Sequence, residues 1–252
     1  MGVLDDRVVC VAGAARGIGQ AAAVAVANQG ASVIGLDLNT EGLATTTELV
    51  EKAGTRMWAT TCDVTDRAAV GTAIDSGAEQ LGGVHGLVTA PMVFTPMSFL
   101  ETTQEQLMRD LGVMVAGPMN LMQAAVPHMQ RAGWGKIVNF GSVAATLGSA
   151  RHASYAAAKD AVRGLSHVAA REFAADDITV NIVCPVARTP SADVSAGDLG
   201  PNGWDLIIAQ TPKGRIAEPE DIAGVIAFLL SPASDFVTGR TLFVDGGMGS
   251  FW

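Results

Sequence analysis

Tyr155 and Lys159 stand four residues apart, and Ser142 lies thirteen residues before the tyrosine. On a helix a four-residue spacing puts two side chains on one face, one turn apart. A free phenol has a pKa of about 10 and a free lysine ammonium about 10.4. A cation held beside a phenol favours the phenolate and draws its pKa toward neutrality. Such a pair is a proton-transfer group usable at physiological pH. Ser142 follows the run Lys136-Ile137-Val138-Asn139-Phe140, which reads as a buried strand ending at the serine. A hydroxyl there, facing the Tyr/Lys helix, could hydrogen-bond an oxygen that gains charge during a reaction. Taken singly, the three residues suit a core aromatic, a turn hydroxyl and a solvated charge equally well. Two facts join them: Tyr155 is the only tyrosine in the chain, and a nucleotide-binding pattern lies upstream.

That pattern begins with the apolar run Arg7–Ala12, a short buried strand. Gly13-Ala14-Ala15-Arg16-Gly17-Ile18-Gly19 follows, and Gln20–Gln29 reads as an Ala-rich helix ended by Gly30 at its C′ position. Gly13, Gly17 and Gly19 let the turn close and let backbone N–H groups approach a pyrophosphate at the helix N-terminus, with Ile18 among them. A tight ligand-free turn is the alternative. The next strand, Ala31–Asp37, ends in a carboxylate eighteen residues past Gly19. A carboxylate there can accept hydrogen bonds from the adenosine ribose. It also repels a 2′-phosphate, and Leu38-Asn39-Thr40 supplies no cation, so NAD is favoured over NADP. Arg16 competes, since it could reach a phosphate. Asp37 could instead cap the helix that begins near Glu41. A third strand, Arg56–Cys62, precedes Asp63 and Val64, which could meet an adenine amino group and ring; Asp63 serves equally well as a turn carboxylate. Thr65 or Asp66 caps a helix running to Leu81.

The elements that must position these groups alternate to the end of the chain. Val84–Ala90 is a fourth strand, with His85 as a solvated edge residue, and Pro91–Met97 is an irregular apolar loop. A long helix spans about Thr103 to Arg131, with a kink or close approach at Gly117-Pro118. The Tyr/Lys helix runs from about Ala153 to Ala174, and its small residues suit close packing against another subunit. Asp177–Pro185 is the sixth strand, and Thr241–Asp245 the seventh. Between them Ser191–Gly214, rich in Gly, Ser, Asp and Pro, is expected to act as a substrate lid spanning about 187–214. Glu218-Pro219-Glu220-Asp221 opens another helix. Alternating strands and helices predict an α/β fold: one doubly wound, Rossmann-type, seven-stranded parallel sheet in a single domain over 1–252.

Composition limits the partners. Of 252 residues 49% are hydrophobic and 16% charged, which suits a sizeable core. The net charge of −9 argues against a nucleic-acid backbone. No apolar run reaches transmembrane length, and the start lacks the basic and apolar regions of a secretory signal. Cys10, Cys62 and Cys184 have no metal-ligand spacing and read as small buried hydrophobes in a reducing compartment, so the expectation is a cytoplasmic protein with no metal.

Together these residues resemble the short-chain dehydrogenase/reductase family in its single-domain form of about 250 residues. Ala12–Gly19 matches the family's Thr-Gly-x-x-x-Gly-x-Gly with Ala12 for Thr. Asp37 and Asp63-Val64 match its adenosine contacts, and Ser142 with Tyr155-x-x-x-Lys159 its catalytic residues. Asn181 and Pro185 sit where the family has Asn-x-x-x-Pro-Gly, and Thr189 where a threonine contacts the nicotinamide carboxamide. Val244-Asp245-Gly246-Gly247 resembles its C-terminal strand and turn. The resemblance implies hydride transfer between a carbinol carbon and NAD, with Tyr155 moving the hydroxyl proton, Lys159 together with the positive nicotinamide ring stabilising the phenolate, Lys159 holding ribose hydroxyls, and Ser142 positioning the substrate oxygen. It also implies a homotetramer or homodimer. Three departures stand out. Thr89-Ala90-Pro91-Met92 replaces Asn-Asn-Ala-Gly. Val186 replaces the Gly after Pro185. Met114 replaces the Asn of Asn-x-x-Gly, which in the family holds a proton-relay water. A thioether accepts hydrogen bonds only weakly, so a slower or differently pH-dependent proton step is expected.

The expected pocket, from 92–97, 143–152, 186–191 and the lid, is mostly apolar and suits a secondary alcohol or ketone with a cyclic or hydrophobic body. Met92, Met97 and Met114 would make its wall adaptable. Arg151, His152 and Arg188 interrupt it; His152 and Arg188 could meet a polar or carboxylate substituent. Two other functions remain open. One is a dinucleotide-binding protein with weak or lost catalysis. The other is an NADPH-dependent reductase of carrier-bound 3-oxoacyl groups, which Asp37 and the net charge oppose.

Overall fold

The computed structural model describes residues 2–249. Seven strands form one parallel sheet: β1 Val8–Ala12, β2 Ser32–Asp37, β3 Met57–Thr61, β4 Gly86–Thr89, β5 Gly135–Phe140, β6 Ile178–Pro185 and β7 Thr241–Val244. Their spatial order is β3-β2-β1-β4-β5-β6-β7, and every neighbouring pair is parallel. The chain leaves β1 in one direction for β2 and returns to its other side for β4. A crevice therefore opens at the carboxyl ends of β1 and β4, where a ligand binds in sheets of this kind.

β1, β4 and β5 are buried throughout, because helices cover both faces. On one face α1 Gly17–Ala27, α2 Thr40–Lys52 and α10 Pro219–Leu229 contribute Ala22, Val26, Leu43, Val50, Ile222 and Ile226 to the core. On the other face α3 Arg67–Leu81, α5 Gly117–Ala132 and α7 Ala153–Glu172 contribute Val70, Ile74, Leu121, Val126, Met129 and Ala169. The ends of these helices follow from single residues. Asp66, not Thr65, caps α3 by accepting from the Ala68 and Ala69 N–H groups, and Gly82 at φ 97° ends it. Asn39, not Asp37, caps α2 by accepting from the Gly42 N–H. The left-handed glycine after α1 sits later than expected: Asn28 is the C-cap, and Gly30 lies two residues beyond it.

One other expectation is corrected, and two are sharpened. His85 is no edge residue. It precedes the central strand β4, is half-buried, and its Nδ1 accepts from the Val8 N–H at 3.1 Å. Burial and the nearby Arg7 charge hold its pKa below the ordinary value. The stretch 191–214 holds most of α8 Pro190–Asp198 and all of α9 Gly203–Ala209, with Thr189 capping α8 through the Ala192 N–H. The long helix is broken into α4 Gln104–Leu111, a π turn over Gly112–Ala116, and α5. Pro118 has no N–H to offer the Met114 carbonyl, which removes one α-type bond at the break. Gly117 permits a close approach, since a Cβ there would lie 2.7 Å from Val64 Cγ2.

Candidate active site

The crevice is a cavity of about 880 Å³ at the carboxyl ends of the strands. Gly13, Arg16, Gly17, Ile18, Gly19, Asp37, Asp63, Val64, Ser142, Tyr155, Lys159, Pro185 and Thr189 all line it. One half is built by the β1–α1 turn. Gly13 takes φ +81°, and a Cβ there would lie 2.8 Å from the Ala90 backbone. A Cβ at Gly19 would lie 2.0 Å from the Gly13 carbonyl oxygen, so the helix start can close on the loop only with glycine. The Arg16 side chain does not cap α1. First-turn N–H groups at Gly17, Ile18 and Gly19 therefore remain available on the cavity wall, as an anion requires.

Asp37 stands at the end of β2. Its Oδ2 accepts from the Ala15 N–H and its Oδ1 from the Asn39 N–H, each at 3.0 Å. These bonds fix the carboxylate against the glycine loop, and its remaining lone pairs can take ribose hydroxyls. Asp63 is exposed, and its Oδ1 accepts from the Thr65 N–H at 2.9 Å and hydroxyl at 2.8 Å. The turn role is thus present, and the cavity-lining position leaves its other oxygen free of those bonds. The donors, glycines and carboxylate of this half fit a dinucleotide.

The other half comes from β5, α7 and the segments that follow. β5 ends at Phe140, not at the serine. Ser142 lies two residues on, in extended backbone, and caps the short helix α6 Val143–Leu147, its Oγ accepting from the Ala145 N–H at 3.4 Å. Tyr155 and Lys159 lie one turn apart in α7, with Lys159 Nζ 5.8 Å from the phenol ring centre. Lys159 is buried and donates to the Phe140 carbonyl at 3.2 Å. Burial pulls its pKa down to about 8, opposed by Cys184. The same enclosure pushes the Tyr155 phenol up; its hydrogen bond with Ser142 works the other way, and Cys184 adds to the rise. Without a bound cofactor the Tyr155 phenol is therefore not drawn toward neutrality. Both groups are biased to their neutral forms, and a positive charge brought to the cavity is what would favour the phenolate.

The remaining wall is mostly apolar. Met92, Val93, Phe94, Val143, Leu147, Val186, Ile207 and Met248 line it, but so do Arg151, His152, Ser195, Asp198 and Gln210. Met97 and Met114 do not. Met114 is 1% exposed within the π turn, outside the lining. Arg188 is also absent from the wall: it is exposed, and its guanidinium stacks over the Trp204 ring at 4.6 Å. Arg151 is ion-paired to Asp198 at 2.6 Å. Asn181 is structural, donating to the Val237 carbonyl and accepting from the Arg240 N–H beside β7. No motif marks Phe94 or Ser195, although both lie in segments expected to form the pocket; Met248 lies outside those segments and carries no sequence signal. Among the described residues no group of three His, Cys, Asp or Glu could hold a metal ion. None of the described helices is long and apolar enough to cross a membrane.

Comparison with known proteins finds relatives along nearly the whole chain. The profile of a family described as enoyl-(acyl carrier protein) reductase matches residues 13–249. Cis-4-hydroxycyclohexanecarboxylate dehydrogenase of Sinomonas cyclohexanicum is 38% identical over 250 residues, covering 96% of each chain. The 3-oxoacyl-[acyl-carrier-protein] reductase FabG of Vibrio cholerae is 32% identical over 245 residues, covering 97% of this chain and 98% of its own. The crystal structure of carveol dehydrogenase from Mycobacterium avium in complex with NAD superposes with a TM-score of 0.93 at 29% identity, covering 98% of this chain and 99% of that one.

Proposed function

The chain belongs to the short-chain dehydrogenase/reductase family, and on that footing we propose that it is an NAD-dependent oxidoreductase interconverting a secondary alcohol and a ketone with an apolar or cyclic body. The observation that carries this reading is convergence. Ser142, Tyr155 and Lys159 border the same cavity as the glycine turn and Asp37. A bound nicotinamide supplies the acceptor or donor of hydride. In oxidation Tyr155 takes the hydroxyl proton as phenolate, and Ser142 hydrogen-bonds the same oxygen and fixes its distance to the phenol. Lys159, raised toward its charged form by any anion nearby, stabilises that phenolate and donates to ribose hydroxyls. The α1 N-terminus holds the pyrophosphate, and Asp37 accepts from the adenosine ribose while disfavouring a 2′-phosphate. Asp63 and Val64 border the adenine, and Pro185 and Thr189 the nicotinamide. The relatives that act on cyclic alcohols support the substrate class. The enzyme acts as a homodimer or homotetramer, with the exposed small residues of α7, such as Ala157, Ala161 and Gly164, at a subunit contact.

A second reading, an NADPH-dependent reductase of carrier-bound 3-oxoacyl groups, draws on the similarity to FabG. Asp37 opposes its cofactor, and a net charge of −9 opposes an acidic carrier. One experiment separates the two: absorbance at 340 nm with NAD and NADP over a panel of cyclic secondary alcohols, and with NADH and NADPH over a 3-oxoacyl thioester. NAD-linked oxidation of the alcohols supports the first reading. NADPH-linked reduction of the thioester alone overturns it, and NADH binding without turnover of any panel member would favour a nucleotide-binding protein with lost catalysis.

A further inference from the structure

We propose that His152 and Ser195 form a second recognition point in this cavity, one that takes a hydroxyl group carried by the substrate away from its reacting carbon. The proposal rests on the reaction assigned above and deepens it to a substrate class: diols and hydroxyketones.

His152 sits one residue before the first turn of α7, against the candidate reaction centre. Its ring lies 4.6 Å from the Phe94 ring, centre to centre, and 5.9 Å from that of Tyr155. Phe94 meets Tyr155 edge-on at 5.2 Å, so the three rings form one corner of the cavity. Within that corner the imidazole is oriented. Its Nδ1 lies 2.8 Å from the Ala150 carbonyl oxygen. A carbonyl can only accept, so Nδ1 carries the hydrogen. In the neutral ring Nε2 is then an acceptor, and it meets the Ser195 hydroxyl at 3.3 Å. That is long for a hydroxyl donating to nitrogen. Both atoms belong to residues on the cavity wall.

A hydroxyl group entering here donates to Nε2 and accepts from Ser195, so neither partner is left unpaired. A carboxylate fits worse. It brings no hydrogen for Nε2, and the adjacent Arg151 is already paired with Asp198 on the same helix as Ser195. An unsubstituted ring fits worse too, because methylene in the corner would displace solvent and leave the two polar atoms only their long bond to each other. The neighbouring wall of Val93, Leu147, Val186 and Ile207 takes the carbon skeleton.

The test measures binding rather than turnover, so it stands apart from the reaction itself. Dissociation constants for cyclohexanol, 1,2- and 1,4-cyclohexanediol and 4-hydroxycyclohexanecarboxylate are read on the enzyme–NADH complex by quenching of tryptophan fluorescence, Trp204 being on the cavity wall. One of the two diols is expected to bind roughly three- to tenfold more tightly than cyclohexanol, and more tightly than the carboxylate. His152→Leu and Ser195→Ala are each expected to abolish that ratio, and His152→Asn, which keeps an acceptor, to restore part of it. A ratio near one in the parent overturns the proposal. So does a ratio that persists in both variants, tighter binding of the carboxylate, or no measurable binding of either diol. Failure of cyclohexanol oxidation with NAD, by contrast, counts against the assigned reaction alone.

Discussion

The Ser154 hydroxyl donates to Asp110 Oδ2 at 2.6 Å, fastening the first turn of α7 to the end of α4. Both side chains are buried. The other Asp110 oxygen accepts from Arg109 at 3.0 Å, and the Gln106 amide donates to both Ser154 Oγ and the Thr95 carbonyl. One network thus joins α4, the residue next to Tyr155, and the loop that carries Phe94.

Removing the donor should cost stability. Ser154→Ala leaves a buried carboxylate oxygen with one partner fewer, and a loss of about 1–3 kcal/mol is expected. Urea unfolding measures it. An unchanged midpoint would mean that water or Arg109 replaces the serine without cost.

Tyr155→Phe deletes the hydroxyl proposed to carry the proton and keeps the ring against Phe94 and His152. NADH binding is expected within about twofold of the parent, with turnover reduced by about 10²–10⁴-fold. Fluorescence titration and the 340 nm assay read the two quantities separately. Retained turnover would remove Tyr155 from its assigned role.

Lys159 makes a pH prediction with a definite sign. Its pKa falls from 10.5 to about 8 on folding, chiefly through burial. Below pH 8 both folded and unfolded chains hold the proton, and the full cost of burying the charge is present. Between about pH 8 and 10.5 the unfolded chain binds more protons, so this residue makes stability rise with pH. Lys159→Met is therefore expected to be more stable than the parent at pH 7, and to lose that advantage between pH 8 and 10.5. Urea midpoints of the two proteins across that range check it. An advantage that does not change with pH would place the titration elsewhere.

Much of this site could be read from local sequence. The Gly13–Gly19 turn, Asp37 at a strand end and the Tyr155–Lys159 spacing are short-range patterns, and strand and helix periodicities put them in order. What stayed hidden depends on groups far apart in the chain. The His152–Ser195 contact spans 43 residues, and the burial of Asp110 depends on Ser154, 44 residues away. His85 reads as solvated until Val8, 77 residues back, offers its N–H. Helices α8 and α9 hide behind Gly, Ser and Asp because helical stability in proteins comes mostly from packing rather than propensity. At the π turn one fact is local, Pro118 without an N–H; the other, Gly117 against Val64, depends on a residue far away in the chain.

Met114 occupies that turn, where the family has a proton-relaying asparagine. Met114→Asn is expected to raise the oxidation rate or to shift its pH profile, because an amide can hold a water that a thioether cannot. Steady-state rates from pH 6 to 10 measure both. If neither changes, the proton leaves by a route that does not pass this turn.

The adenosine end offers the cleanest test of cofactor choice. Leu38 is 66% exposed and lines the cavity beside Asp37. Its side chain makes no hydrogen bond that a substitution could break, whereas Asp37 anchors Ala15 and Asn39 and cannot be changed without loosening the loop. Leu38→Arg therefore adds a guanidinium where a 2′-phosphate would arrive and leaves the scaffold intact. Charge-assisted hydrogen bonds to that phosphate should lower the KM for NADP about tenfold, even against the remaining Asp37 carboxylate. The KM for NAD should move by less than about twofold, since its ribose hydroxyls still meet Asp37. The parent should prefer NAD throughout. An NADP KM indifferent to the new arginine would mean that the ribose does not lie at the end of β2, and the assignment of Asp37 would fall with it.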